Sequence, residues 1–144
     1  MRNLKENKYV LRLVDEWMMH GKIIIAVDYD DTISSWRLQT QAQCDETIEK
    51  IKLAREVGAY IVVFTACKEE RHPEIMQFCE EKGLLIDTIN NNPIDLPYGN
   101  QNKIYANIFV DDRAGLEEAL EILEFAAYSV RSKRKNINEQ TVEF

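Results

Sequence analysis

Basic residues are in short supply: 18 Lys and Arg face 25 Asp and Glu, giving a net charge of −7. A large nucleic-acid footprint needs clustered cations against the phosphates, so this deficit counts against one. Cysteine is scarce as well, with Cys44, Cys67 and Cys79 scattered and no CxxC pair among them. Such an odd, unpatterned set argues against a disulfide framework or a zinc site and leaves Cys44 and Cys79 as buried free thiols. Long apolar runs are missing, and none approaches the ~20 residues of a membrane span. Residues 1–8 are polar and mixed in charge, without the apolar centre of a signal peptide, so no membrane partner and a cytoplasmic location are expected.

What is present fits one globular domain. The chain has 144 residues, 45% hydrophobic and 30% charged, enough for one core and no separable second domain. Residues 8–19 place Val10, Leu13, Val14 and Trp17 at helical spacing, and Gly21 stops that helix. The β-branched run 23–27 has no alternation, which suits a strand buried on both faces of a parallel sheet. Further helices are expected over 41–57, 73–82 and 115–130, and further strands over 60–64, 85–89 and 104–110. Residues 33–40 read as an irregular flap, and 90–102, dense in Asn, Pro and Gly, as a loop long enough to suggest function. The alternation predicts a single Rossmann-like α/β domain over 1–144, a parallel sheet flanked by helices. Residues 1–21 form an N-terminal helical extension of it, and 131–144 a frayed C-terminal tail.

In open α/β sheets ligands bind beyond the carboxyl ends of the strands. There this sequence collects polar residues: Asp28 and Asp30 after the first strand, Thr65 after the second, Asp111 and Asp112 after the last. Carboxylates two apart on an extended chain point to one side, where they repel unless a cation or a proton transfer employs them. Taken alone, Asp28 to Thr32 equally suits a solvated acidic turn, with Asp31 and Thr32 capping the next segment. A helix N-cap ahead of Gly115 is the plainer role open to Asp112, and it does not exclude a second one. With Asp111 and Asp112 on the same rim, a hard divalent cation with oxygen ligands fits, Mg²⁺ best of all. Thr65 and Lys103 add the hydroxyl and cation that a bound phosphoryl group would need.

At these residues the chain resembles the haloacid dehalogenase superfamily. An apolar strand ends in Asp28-Tyr29-Asp30-Asp31-Thr32, a second in Thr65, Lys103 follows, and a further strand ends in Asp111-Asp112. The four motifs stand in the family's order across residues 23 to 116. The resemblance implies Asp28 as a nucleophile that forms an aspartyl-phosphate, and Asp30 as general acid and then base. It implies Thr65 and Lys103 as phosphoryl-oxygen ligands. It places Mg²⁺ on the Asp28 carboxylate, the Asp30 main-chain carbonyl and Asp111, with Asp112 assisting. An acid at position 30 favours phosphatase or phosphomutase chemistry within that family.

The short connections after Thr32 and after Thr65 leave no room for a large cap domain, so a small capless phosphatase with an open site is expected. A small phosphorylated metabolite, such as a nucleotide or a sugar phosphate, is the expected substrate. A nucleic-acid end and a non-catalytic binding module are the alternatives. Lys68, Arg71 and Arg113 are positioned as substrate contacts or as plain surface charges. Trp36 in the flap could stack on a base or plug the edge of the core. The basic cluster Arg131, Lys133, Arg134 and Lys135 reads as a solvated helix end or an anion contact. The apolar stripe on the last helix serves core packing or a homodimer equally well.

Overall fold

A central strand whose first five residues are all buried organises the molecule. A computed structural model of the chain describes residues 3–95 and 103–142. In it β1 (Ile23–Asp28) pairs on one side with β2 (Ala59–Phe64) and on the other with β4 (Ile108–Val110), while β3 (Thr88–Ile89) lies outside β2. All pairings are parallel, in the order β3-β2-β1-β4. The Ile-Ile-Ile-Ala-Val run is continuous because both faces of this inner strand are covered, and no residue from Ile23 to Val27 is more than 4% exposed. The result is a Rossmann-like α/β domain with helices flanking a four-stranded sheet.

The helices are α1 (Lys8–His20), α2 (Gln41–Gly58), α3 (His72–Glu81) and α4 (Leu116–Val142). Asn7 caps α1 by accepting the N–H groups of Tyr9 and Val10, and Val10, Leu13, Val14 and Trp17 are buried at the expected spacing. This helix is therefore part of the core and packs against α4, rather than being an appendage to the domain. Thr40 and Gln43 form a reciprocal capping box at the start of α2. Gly58 closes α2 at φ +114°, and a Cβ there would sit 2.9 Å from the Gly21 carbonyl oxygen, so only glycine fits.

Three boundaries differ from the sequence-based expectation. The strand expected over 85–89 shrinks to Thr88–Ile89, and Asp87 just ahead of it meets β2 with its side chain as well as its backbone N–H. Its carboxylate accepts the Ile61 N–H at 2.7 Å and the Arg55 guanidinium at 2.8 Å. The strand expected over 104–110 begins only at Ile108, since the Asn107 side-chain oxygen takes the Ile24 N–H at 2.7 Å. The tail expected to fray after Val130 instead continues α4 to Val142. Arg134 donates to the Gly21 carbonyl at 2.7 Å and to the Val57 carbonyl, tying the far end of α4 to the ends of α1 and α2.

Candidate functional site

Sheet register builds the site. Val27 is level with Val63 on one neighbour and with Val110 on the other, so the next residue on each strand reaches the carboxyl edge together. Asp28 and Asp111 thereby become neighbours, and Asp112 follows. Carboxylate oxygens of Asp28, Asp111 and Asp112 all lie within 4.8 Å of one another, and all three residues are half-buried. The Asp30 carboxylate falls outside this group. After Tyr29 the chain leaves the extended conformation, because the Tyr29 carbonyl accepts the N–H groups of Thr32, Ile33 and Ser34 in a tight turn.

Thr32 sits fully buried under the cluster. Its hydroxyl is 3.2 Å from an Asp28 oxygen and 3.3 Å from an Asp112 oxygen, and it accepts the Asp112 N–H at 3.0 Å. The single hydroxyl proton can serve only one of the two carboxylates at a time. Burial first, then the hydrogen bond to Asp112 and the charge of Asp111, push the Asp28 carboxyl up to about 7, with the Tyr29 N–H partly opposing. Three converging acids form a donor set suited to a hard cation. Asp112 is not the N-cap of α4, because the Gly115 carbonyl accepts the Ala119 N–H as the cap position ahead of Leu116, and an Asp112 carboxylate oxygen faces the Thr32 hydroxyl instead.

Asp31 has a different task. Burial alone would push its carboxyl up, but the N–H groups of Leu38, Arg37, Gln39 and Trp36 together outweigh this and hold it below its ordinary value. Thr65 follows Phe64, the residue level with Asp28. Asn90, at φ +57°, grips Thr65 from both sides: its side-chain oxygen takes the Thr65 N–H at 2.8 Å and its amide donates to the Thr65 carbonyl at 2.9 Å. The Thr65 hydroxyl accepts the Cys67 N–H at 3.2 Å.

Lys103 is exposed five residues ahead of β4, and its carbonyl accepts the Asn92 side-chain amide at 3.0 Å. Lys68 and Arg113 are exposed, and Arg71 pairs with Glu74 at 3.5 Å on the surface. Residues 96–102 of the Asn- and Pro-rich loop lie outside the described residues. Trp36 is 56% exposed and plugs nothing. All three cysteines are free thiols, Cys44 and Cys79 buried and Cys67 half-buried. No described helix is long and apolar enough to cross a membrane. In the sequence Asp31 and Thr32 could be read as caps of the next segment or as part of the first acidic motif, and Asn90 did not stand out. The signal for Thr32 was its place at the end of the first acidic motif, four residues from Asp28.

No family model matches the chain, and no curated protein matches it. A solved structure of a conserved protein coded by a locus of Bacteroides thetaiotaomicron is similar, with 26% identity and a TM-score of 0.54. The similarity covers 64% of this chain and 77% of that one.

Proposed function

We propose that the chain is a Mg²⁺-dependent phosphomonoester hydrolase of the haloacid dehalogenase type, acting through an aspartyl-phosphate on Asp28. The observation that carries this reading is the convergence of Asp28, Asp111 and Asp112 at the carboxyl ends of adjacent strands, beside Thr32. The side chains of Asp28, Asp111 and Asp112 and the main-chain carbonyl of Asp30 would hold the cation. Bound there, Mg²⁺ offsets the repulsion between the Asp28 carboxylate and an incoming phosphate.

Each remaining step falls to this chain's own residues. An Asp28 carboxylate oxygen attacks phosphorus, the bond to the leaving oxygen breaks, and Asp30 gives that oxygen its proton. The ionised Asp30 then takes a proton from water, which attacks the same phosphorus. The bond from phosphorus to Asp28 breaks, inorganic phosphate leaves, and both acids return to their starting forms. Thr65, fixed by Asn90, and Lys103 bind the non-bridging oxygens. With no cap domain among the described residues, we take small phosphorylated metabolites such as nucleotides or sugar phosphates as the substrates.

Phosphate release from an aryl phosphate, nucleotides, sugar phosphates and phosphorylated oligonucleotides, each with and without Mg²⁺, tests the proposal beside Asp28→Asn. Turnover that needs Mg²⁺ and vanishes in the variant is expected. A folded protein that binds Mg²⁺ yet turns over nothing in the panel would favour a non-catalytic binding module.

A further inference from the structure

Trp36 stands on the flap between β1 and α2 with 56% of its surface exposed, an uncommon position for so large an apolar ring. Its backbone is nonetheless pinned. The Asp31 carboxylate, only 5% exposed, accepts the N–H groups of Trp36, Arg37, Leu38 and Gln39 at 2.9, 3.0, 3.1 and 3.1 Å. The Arg37 guanidinium lies 4.0 Å from the indole centroid, covering one ring face and restricting its rotation. A buried carboxylate is thus committed to fixing a loop whose apolar side chains, Trp36 and the 74% exposed Leu38, add nothing to the core. The same loop leaves the acidic cluster at Thr32, whose hydroxyl touches Asp28 and Asp112. A loop backbone fixed before any ligand arrives presents its ring to a flat partner with less entropy left to lose.

We propose that Trp36 is a specificity-determining residue that stacks on the base of a nucleoside monophosphate whose phosphoryl group lies at Asp28. This inference rests on the phosphohydrolase reading above. The net charge of −7 favours a free nucleotide over a nucleic-acid terminus as the source of that base.

The two tryptophans make the test direct, because Trp17 is fully buried and only Trp36 is open to a ligand. Tryptophan fluorescence of Asp28→Asn with Mg²⁺ is titrated with a nucleoside 5′-monophosphate and with ribose 5-phosphate. The nucleotide is expected to quench the emission and to bind about tenfold more tightly than the sugar phosphate. Neither Trp36→Ala nor Trp36→Phe keeps this reporter, so their affinities, in the same Asp28→Asn background, are read by isothermal titration calorimetry: the preference collapses in the alanine variant and mostly survives in the phenylalanine variant. Equal affinity for the two ligands, or a preference that persists in Trp36→Ala, overturns the stacking role. Tighter binding of a 5′-phosphorylated oligonucleotide than of the mononucleotide overturns the free-nucleotide assignment. Mg²⁺-dependent turnover that vanishes in Asp28→Asn would uphold the hydrolase reading whichever way Trp36 behaves.

Discussion

Asp28 sits where its charged form is disfavoured: burial, the bond to Asp112 and the charge of Asp111 lift its carboxyl from 3.8 to about 7. A raised acid stabilises the folded protein fully below its unfolded value of 3.8, and that contribution is lost as pH rises through about 7. Thermal melts of the metal-free protein should therefore show this stabilisation fading between about pH 4 and about pH 7. Asp28→Asn, neutral throughout, should melt with a flatter pH dependence, and Mg²⁺ should raise the melting temperature of the parent most at the alkaline end. An identical pH slope in parent and variant would contradict the account of this carboxyl. The acids themselves were legible in the sequence because they follow apolar runs. The role of Thr32 was not, since its contact with Asp112 spans 80 positions and no local pattern encodes it. Asp31 could be read as a local cap, but not as the anchor of four successive N–H groups.

Among the elements, local signals located the four helices to within a few residues except at the end of α4. Gly21 was legible as the stop of α1, whereas the caps Asn7, Thr40 and Gln43, which act over one turn as well, were not singled out. The end of α4 depends on Arg134, whose partner Gly21 lies 113 positions away. Two-helix capping by one guanidinium also changes the meaning of the basic cluster. Arg131 pairs with Glu56 at 3.6 Å on the surface, while Arg134 works on the carbonyls that α1 and α2 leave unpaired. Arg134→Ala should cost about 1–3 kcal/mol in denaturant unfolding, as charged donors to carbonyls do. Amide exchange should quicken beyond Val130 while the protection of β1 persists. Unchanged exchange in residues 131–142 would show that this end of α4 holds itself. The two outer strands were legible as strands but not in length, because Asp87 and Asn107 bond to the neighbouring strands with side chains as well as backbone.

Across the whole molecule, a sheet with β1 inside and β4 beside it turns motifs separated by more than half the chain into one cluster. Strand-helix alternation in the sequence anticipates a parallel sheet, and the rule that ligands meet its carboxyl edge anticipates where to look. Neither gives the order β3-β2-β1-β4, which decides that Asp111 and not Asn90 stands next to Asp28. Asn90 instead serves Thr65 on the far side, so the two flanks of β1 present a carboxylate side and a hydroxyl side. That division suits a nucleophile and cation on one side and phosphoryl oxygens on the other.

The central claim is that Asp28 becomes covalently phosphorylated. An aryl phosphate needs little help from a general acid, whereas in the proposed mechanism Asp30 is the base that hydrolyses the intermediate, so Asp30→Asn should accumulate the adduct. Acid-quenched reactions of Asp30→Asn with an aryl phosphate and Mg²⁺, digested and analysed by mass spectrometry, should place one phosphoryl group on Asp28. The Asp28→Asn, Asp30→Asn double variant should carry none. A phosphoryl group on another residue, or Mg²⁺-dependent turnover that survives Asp28→Asn, would contradict the account.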